Sequence, residues 1–149
     1  MKTVLLIFAG ICMGAIALAF FVRIPQDSPK IATVSIDDKT LAFEVVDTPE
    51  LRTQGLSGRK SLLPNTGMLF VFDTSDVYGF WMKDMFFSLD IIWLDNNFTV
   101  VHLEQNVSPE TYPSVFIPNE KALYVLEVNA GVSNELHIEK GTQLEVVFK

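Results

Sequence analysis

The chain has 149 residues, 49% of them hydrophobic, with 18 acidic and 11 basic side chains and a formal charge of −7. All 18 acids but only nine of the basic residues follow position 23, so that portion carries −9, a balance that repels phosphate backbones and argues against a nucleic-acid partner. The single cysteine, Cys12, lies in the N-terminal segment, which leaves the rest without a disulfide, a thiol nucleophile or a cysteine-ligated metal.

Thr3 to Val22 form an uncharged run of 20 residues between Lys2 and Arg23. A helix of that length reaches across a hydrocarbon core of about 30 Å. Two fates compete for it. Its length exceeds the usual apolar core of a secretory signal, which favours a retained anchor, while Ala17-Leu18-Ala19 permits cleavage after Ala19. Ile11 stands before Cys12 where lipidation expects a small residue, so a lipoprotein is discounted. Flanking charges are nearly balanced, and the short n-region resembles an export signal. The expected organisation is therefore an anchor or signal over 1–23, a linker over 24–30 (IPQDSPK), and a single domain over 31–149. The domain is expected outside the cytoplasmic membrane, or secreted if the segment is cut.

Residues 31–36 and 41–46 are β-rich and flank Asp37-Asp38-Lys39-Thr40, which predicts a hairpin. Thr48-Pro49-Glu50 is a helix start, with Thr48 as cap and Pro49 at the first position, and Gly55 stops the helix. The run 68–72 (MLFVF) reads as a strand, Asp73 to Asp76 as a polar turn, and Tyr78 to Met82 as extended. Segments 89–94 and 98–103 flank Asp95-Asn96-Asn97, a second hairpin in which Asn supplies the positive φ. Three prolines make 108–119 a loop; 123–128 is a strand, 132–136 a helical turn, and 143–148 the last strand. The fold class is mainly β with one or two short helices, a compact sandwich or barrel of seven or eight strands. MLFVF and LDIIW alternate poorly, so those strands are expected to be covered on both faces.

Several segments share one pattern in order. They are Arg52-x-x-Gly55-Leu56-x-x-Arg59, Gly67-Met68-Leu69-Phe70-x-Phe72, Phe80-Trp81-Met82-Lys83, Leu89-Asp90-Ile91 with Asp95, and Tyr124-x-Leu126-Glu127 with Gly131. Over about 33–148 the chain resembles the prokaryotic family catalogued as domain of unknown function 192. The resemblance implies a compact β-rich fold behind an export signal, and no assigned activity. Departures are Asp84-Met85 where the family usually has Asn-Thr, Ser57 where Met is frequent, and no cysteine pair near 108–113.

Five residues make the best candidate site: Arg52, Arg59, Trp81, Lys83 and Asp90. Arg52 and Arg59 are seven apart and would share a face if the helix continued past Gly55. Paired guanidiniums bind a carboxylate or phosphate, and an indole face stacks on a sugar or holds a cation. The structural alternative has Arg bonding strand carbonyls or a buried Asp90, with Trp81 in the core. Lys83 shares a face with Trp81 if the segment is a strand, and serves as a base only if desolvated. Among the carboxylates Asp84, Asp90, Asp95, Glu104 and Glu127, a hydrolytic pair would need a set separation, with Asp90 and Glu127 favoured. His102 and His137 have no zinc spacing, and no nucleotide, serine-nucleophile or cofactor motif occurs. Asn97-Phe98-Thr99 and Asn106-Val107-Ser108 fit the glycosylation pattern, which matters only in a glycosylating cell. The functional expectation is a noncatalytic binding or accessory module at the envelope, for a small anionic or carbohydrate-like ligand. A carboxylate hydrolase and a docking module for a membrane protein are the alternatives.

Overall fold

The computed structural model describes residues 29–36 and 38–149. The uncharged run 3–22, expected as an anchor or signal, lies outside the described residues. Among those described, no helix is long and apolar enough to cross a membrane.

Seven strands form one sheet: β1 (Ile31–Ile36), β2 (Lys39–Val46), β3 (Thr66–Asp76), β4 (Leu89–Leu94), β5 (Val100–Val107), β6 (Ala122–Asn129) and β7 (Glu145–Phe148). Their spatial order is β5-β4-β6-β3-β2-β1-β7. Only β2 and β3 run parallel, and they are joined by a crossover that carries the helix α1 (Pro49–Gln54). A second short helix, α2 (Val132–Glu135), follows β6.

The expected sandwich or barrel is corrected to a single open sheet. No ladder joins the edge strands β5 and β7. An isolated bridge pairs Thr99 with Gln143, and Val100 N donates to Thr142 O at 2.9 Å, Leu144 N to Phe98 O at 3.1 Å. These bonds tie the start of β5 to the chain entering β7, so the sheet curls without closing.

Each face carries its own apolar cluster. Phe43, Val45, Leu69, Ile92, Leu126 and Val128 belong to the first, with Leu136, Ile138 and Leu144 packed over them. Met68, Phe70, Leu89, Ile91, Trp93 and Val125 belong to the second, under Leu56 and Met82. Successive strand residues face opposite ways, so a strand buried on both sides has no polar alternation. That is the state of β4, in which all six residues are buried. Within it, Asp90 is fully buried on the first face. Its carboxylate accepts from Asn106 N (2.8 Å), Gly131 N (3.0 Å), Ser133 N (2.9 Å) and Ser133 Oγ (2.7 Å). The helix α2 has no side-chain cap of its own, and Asp90 provides one from a distant strand.

Several local expectations need correction. Asp73 to Asp76 continue β3 rather than turning. Tyr78 to Met82 make one bridge, Phe80 with Phe116, and no strand. In the β4–β5 hairpin the positive φ falls on Phe98 (60°), not on either Asn. Asp95 Oδ1 explains this, because it accepts from both Asn97 N (2.7 Å) and Thr99 N (2.9 Å) and fixes the turn around itself.

Candidate functional site: a cleft on the second face

The second face is not fully covered. Between α1, the outer part of β3 and the segment 78–85 lies a cleft of about 510 Å³. Arg52, Phe72, Tyr78, Trp81 and Met85 line it, together with the strand residue Glu127.

The wall at α1 is set by local sequence. Thr48 Oγ1 accepts from Leu51 N at 3.3 Å, Pro49 opens the helix, and Gly55 ends it at φ 48° with its N–H bonded to Leu51 O. The helix therefore does not continue to Arg59, and the two arginines separate. Arg52 Nη1 donates to Asp47 O (2.8 Å) and Val71 O (2.7 Å), latching α1 to β3, while its guanidinium lies 5.0 Å from the centre of the Phe72 ring. Phe72 stacks on Tyr78 with ring planes 9° apart. Trp81, also on the cleft, is half exposed and meets Tyr112 edge-on at 6.0 Å. The chain at 81–84 is not a strand and turns at Lys83–Asp84, with Asp84 at φ 55° and its carbonyl accepting from Gly58 N. Asn and Asp tolerate that left-handed conformation better than other side chains.

Of the five sequence candidates, Arg52 and Trp81 line the cleft. Arg59 does not; its Nη2 donates to Glu44 Oε2 at 2.7 Å on a partly exposed pair. Lys83 is exposed, 5.9 Å from the Trp81 ring centre, and borders a separate shallow depression. Asp90 is the caged carboxylate on the other face. The paired-guanidinium anion site is thus not assembled. Nor is the hydrolytic pair: Asp90 is in register with Val128, and Glu127 with Ile91, which sends the two carboxyls to opposite faces of the sheet. Among the described residues, no group of three His, Cys, Asp or Glu is placed to hold a metal.

Glu127 emerges in a role the sequence argument assigned only to hydrolysis. It is 5% exposed on the floor of the cleft, flanked across the ladder by Met68 and Ile91. No described residue donates a hydrogen bond to its carboxyl, and no fully buried side-chain oxygen in the described residues lacks a partner. Its oxygens therefore keep a sliver of solvent contact, which the cleft supplies. Burial pushes its pKa up from 4.5 to about 8, against a smaller opposing pull from Arg59. The sequence signal was an acid set in the apolar run LYVLEV, at a position whose neighbours in the ladder are buried.

The unfolded glutamate ionises near 4.5 and the folded one near 8, so the folded protein holds its proton more tightly. The associated stability is full below 4.5 and is lost as pH rises through about 8. Glu127→Gln keeps the shape and removes the charge. We expect urea unfolding midpoints of wild type to fall between pH 6 and 9 while those of the variant stay flat. Parallel curves for the two proteins would show that Glu127 is ionised throughout.

Fold and site together define a small open-sheet domain with one aromatic-walled cleft over a buried acid. Residues 32–146 match the family described as Uncharacterized ACR, domain of unknown function 192, and the chain belongs to it. The chain is similar to solved structures, two of which are as follows. One is a Sinorhizobium meliloti 1021 protein, provisionally described as a transcription regulator, at 28% identity and TM-score 0.72, covering 80% of this chain and 94% of that one. The other is a protein of unknown function from Novosphingobium aromaticivorans DSM 12444, at 27% identity and TM-score 0.69, covering 77% of this chain and 83% of that one. No curated protein matches the chain.

Proposed function

We propose that the domain is a noncatalytic ligand-binding module of the cell envelope whose cleft takes a small carbohydrate-like molecule. The observation that carries this reading is a cleft of about 510 Å³ lined by the half-exposed Trp81 and by the stacked rings of Phe72 and Tyr78. Sugar rings present C–H faces to aromatic rings and hydroxyls to polar groups, and a pocket of a few hundred Å³ admits one or two rings. The anionic alternative draws less support. Arg52 spends Nη1 on two carbonyls, Arg59 is engaged by Glu44, and the residues beyond position 23 carry a charge of −9. That charge also disfavours nucleic acid. The envelope location rests on the uncharged run 3–22, as an anchor or as a cleaved signal.

The test is a thermal-shift screen of the full-length protein in detergent against envelope sugars and small anions. A sugar-induced rise in melting temperature is expected. Trp81→Ala should leave the unliganded melting temperature within about 2 °C, because a half-exposed ring contributes little to the core, and should abolish the sugar shift. No shift with any sugar at saturating concentration counts against the reading.

One observation favours a second reading, a docking module. Trp81, Tyr112, Val115 and Ile117 are all about half exposed; Trp81 lines the cleft and meets Tyr112 edge-on, and the segment at Phe116 is bonded to Phe80. Exposed apolar groups of this kind mark interaction surfaces when contiguous. Co-purification of one membrane protein with wild type, lost on Ile117→Lys, would favour it over sugar binding.

A further inference from the structure

The cleft floor is chemically unlike its walls. Glu127 is buried, unpartnered among the described residues, and flanked in the ladder by Met68 and Ile91. A buried acid that no protein group satisfies, and whose oxygens meet solvent only through a cleft, presents those oxygens to whatever enters the cleft. We propose that Glu127 is the polar anchor of the cleft and that, as a neutral carboxylic acid, it donates a hydrogen bond to a hydroxyl or carbonyl oxygen of an uncharged ligand. This rests on the carbohydrate reading above and sharpens it, because it selects neutral, oxygen-rich rings over anions and makes their binding pH-dependent.

The charged groups around Glu127 support a neutral acid. From β2, Glu44 stands in the same cross-sheet row, next to Met68, and is held by Arg59 from the loop after α1. From β5, Glu104 lies beyond Ile91 in that row. Asp73 of β3, Arg52 of α1 and Tyr78 line the cleft itself. Among the described residues Arg59 is the one cation that draws Glu127 toward ionisation, and its guanidinium is already bonded to Glu44. Burial outweighs it, so the acid keeps its proton to about pH 8. No proton is consumed or released when a neutral ring binds the acid form, whereas the ionised form has lost the donor and presents a buried charge instead.

The probe is N-acetylglucosamine, titrated by calorimetry into the full-length protein in detergent from pH 6 to pH 10. The expected result is constant affinity up to about pH 7, then a fall approaching tenfold per pH unit once Glu127 ionises. Glu127→Gln, whose amide still donates but does not titrate, should bind throughout with a flat profile. Glu127→Leu, which keeps the bulk and removes the donor, should bind weakly at every pH. A wild-type profile as flat as that of the Gln variant, with binding intact, overturns the role of Glu127 and leaves the sugar reading standing. No heat of binding in wild type at any pH overturns the sugar reading itself, and the anchor with it.

Discussion

Asp90→Ala should cost on the order of 4 kcal/mol or more of folding stability. The carboxylate accepts four hydrogen bonds, from Asn106 N, Gly131 N, Ser133 N and Ser133 Oγ, and is fully buried. Truncation leaves three backbone donors facing an apolar void, and each unpaired donor costs about 1–3 kcal/mol. Ser133 Oγ retains one partner, Gln105 Nε2 at 3.0 Å, so the hydroxyl suffers least. A domain of this size has about 5–15 kcal/mol in total, so the variant sits close to unfolding. Urea denaturation followed by tryptophan fluorescence gives the answer, with the midpoint falling and the slope unchanged. Asp90→Asn supplies a measurable intermediate, since an amide has one acceptor oxygen and sets its NH2 against backbone donors. A loss below about 1 kcal/mol in the alanine variant would mean that α2 is capped by other means.

The second large effect is expected at Gly67. A Cβ at this position of β3 would lie 2.3 Å from Phe43 Cε1, 2.8 Å from Phe43 Cδ1 and 2.6 Å from the carbonyl oxygen of Glu127. Phe43 is 1% exposed inside the first cluster, and the Glu127 carbonyl belongs to the β3–β6 pairing, so neither can step aside cheaply. Overpacking a core by one methyl costs about 1–3 kcal/mol, and more where backbone must shift. Gly67→Ala should therefore destabilise by about 3 kcal/mol and disturb the strand that presents Glu127. The double variant Gly67→Ala with Phe43→Leu should recover part of the loss, because the shorter side chain vacates the contested space. A single variant that melts like wild type would mean that β3 does not approach Phe43 this closely.

The elements easiest to read from sequence were those with local chemistry. The first hairpin, the Thr48–Pro49 helix start and the stop at Gly55 depend on neighbours within a few positions, and all three are present. Poor alternation in LDIIWL correctly signalled burial on both faces. Polar composition misled at Asp73 to Asp76, where the strand extends into solvent and burial no longer dictates the pattern. The role of Asp90 was hidden for a different reason. Its partners lie 16, 41 and 43 positions away, and no periodicity connects a strand acid to the cap of a four-residue helix. The cleft was hidden likewise. Arg52 and Trp81 were legible as candidates by residue type, but their meeting with Glu127 depends on the crossover between β2 and β3 and on the register of β6. That register also separated Asp90 from Glu127, which spacing alone could not do.

The tie between the two sheet margins has a bearing on self-association. Open strand margins act as templates on which a second chain can add, the first step toward fibrils. Here Phe98 and Val100 at one margin are already occupied by the stretch Gly141 to Leu144, and β7 spans only four residues. The remaining free length of β5 carries His102 and Glu104, joined at 3.0 Å, and incoming copies would have to bury that charge. A margin shortened, tethered and charged in this way disfavours the addition of a second copy to this mainly β domain.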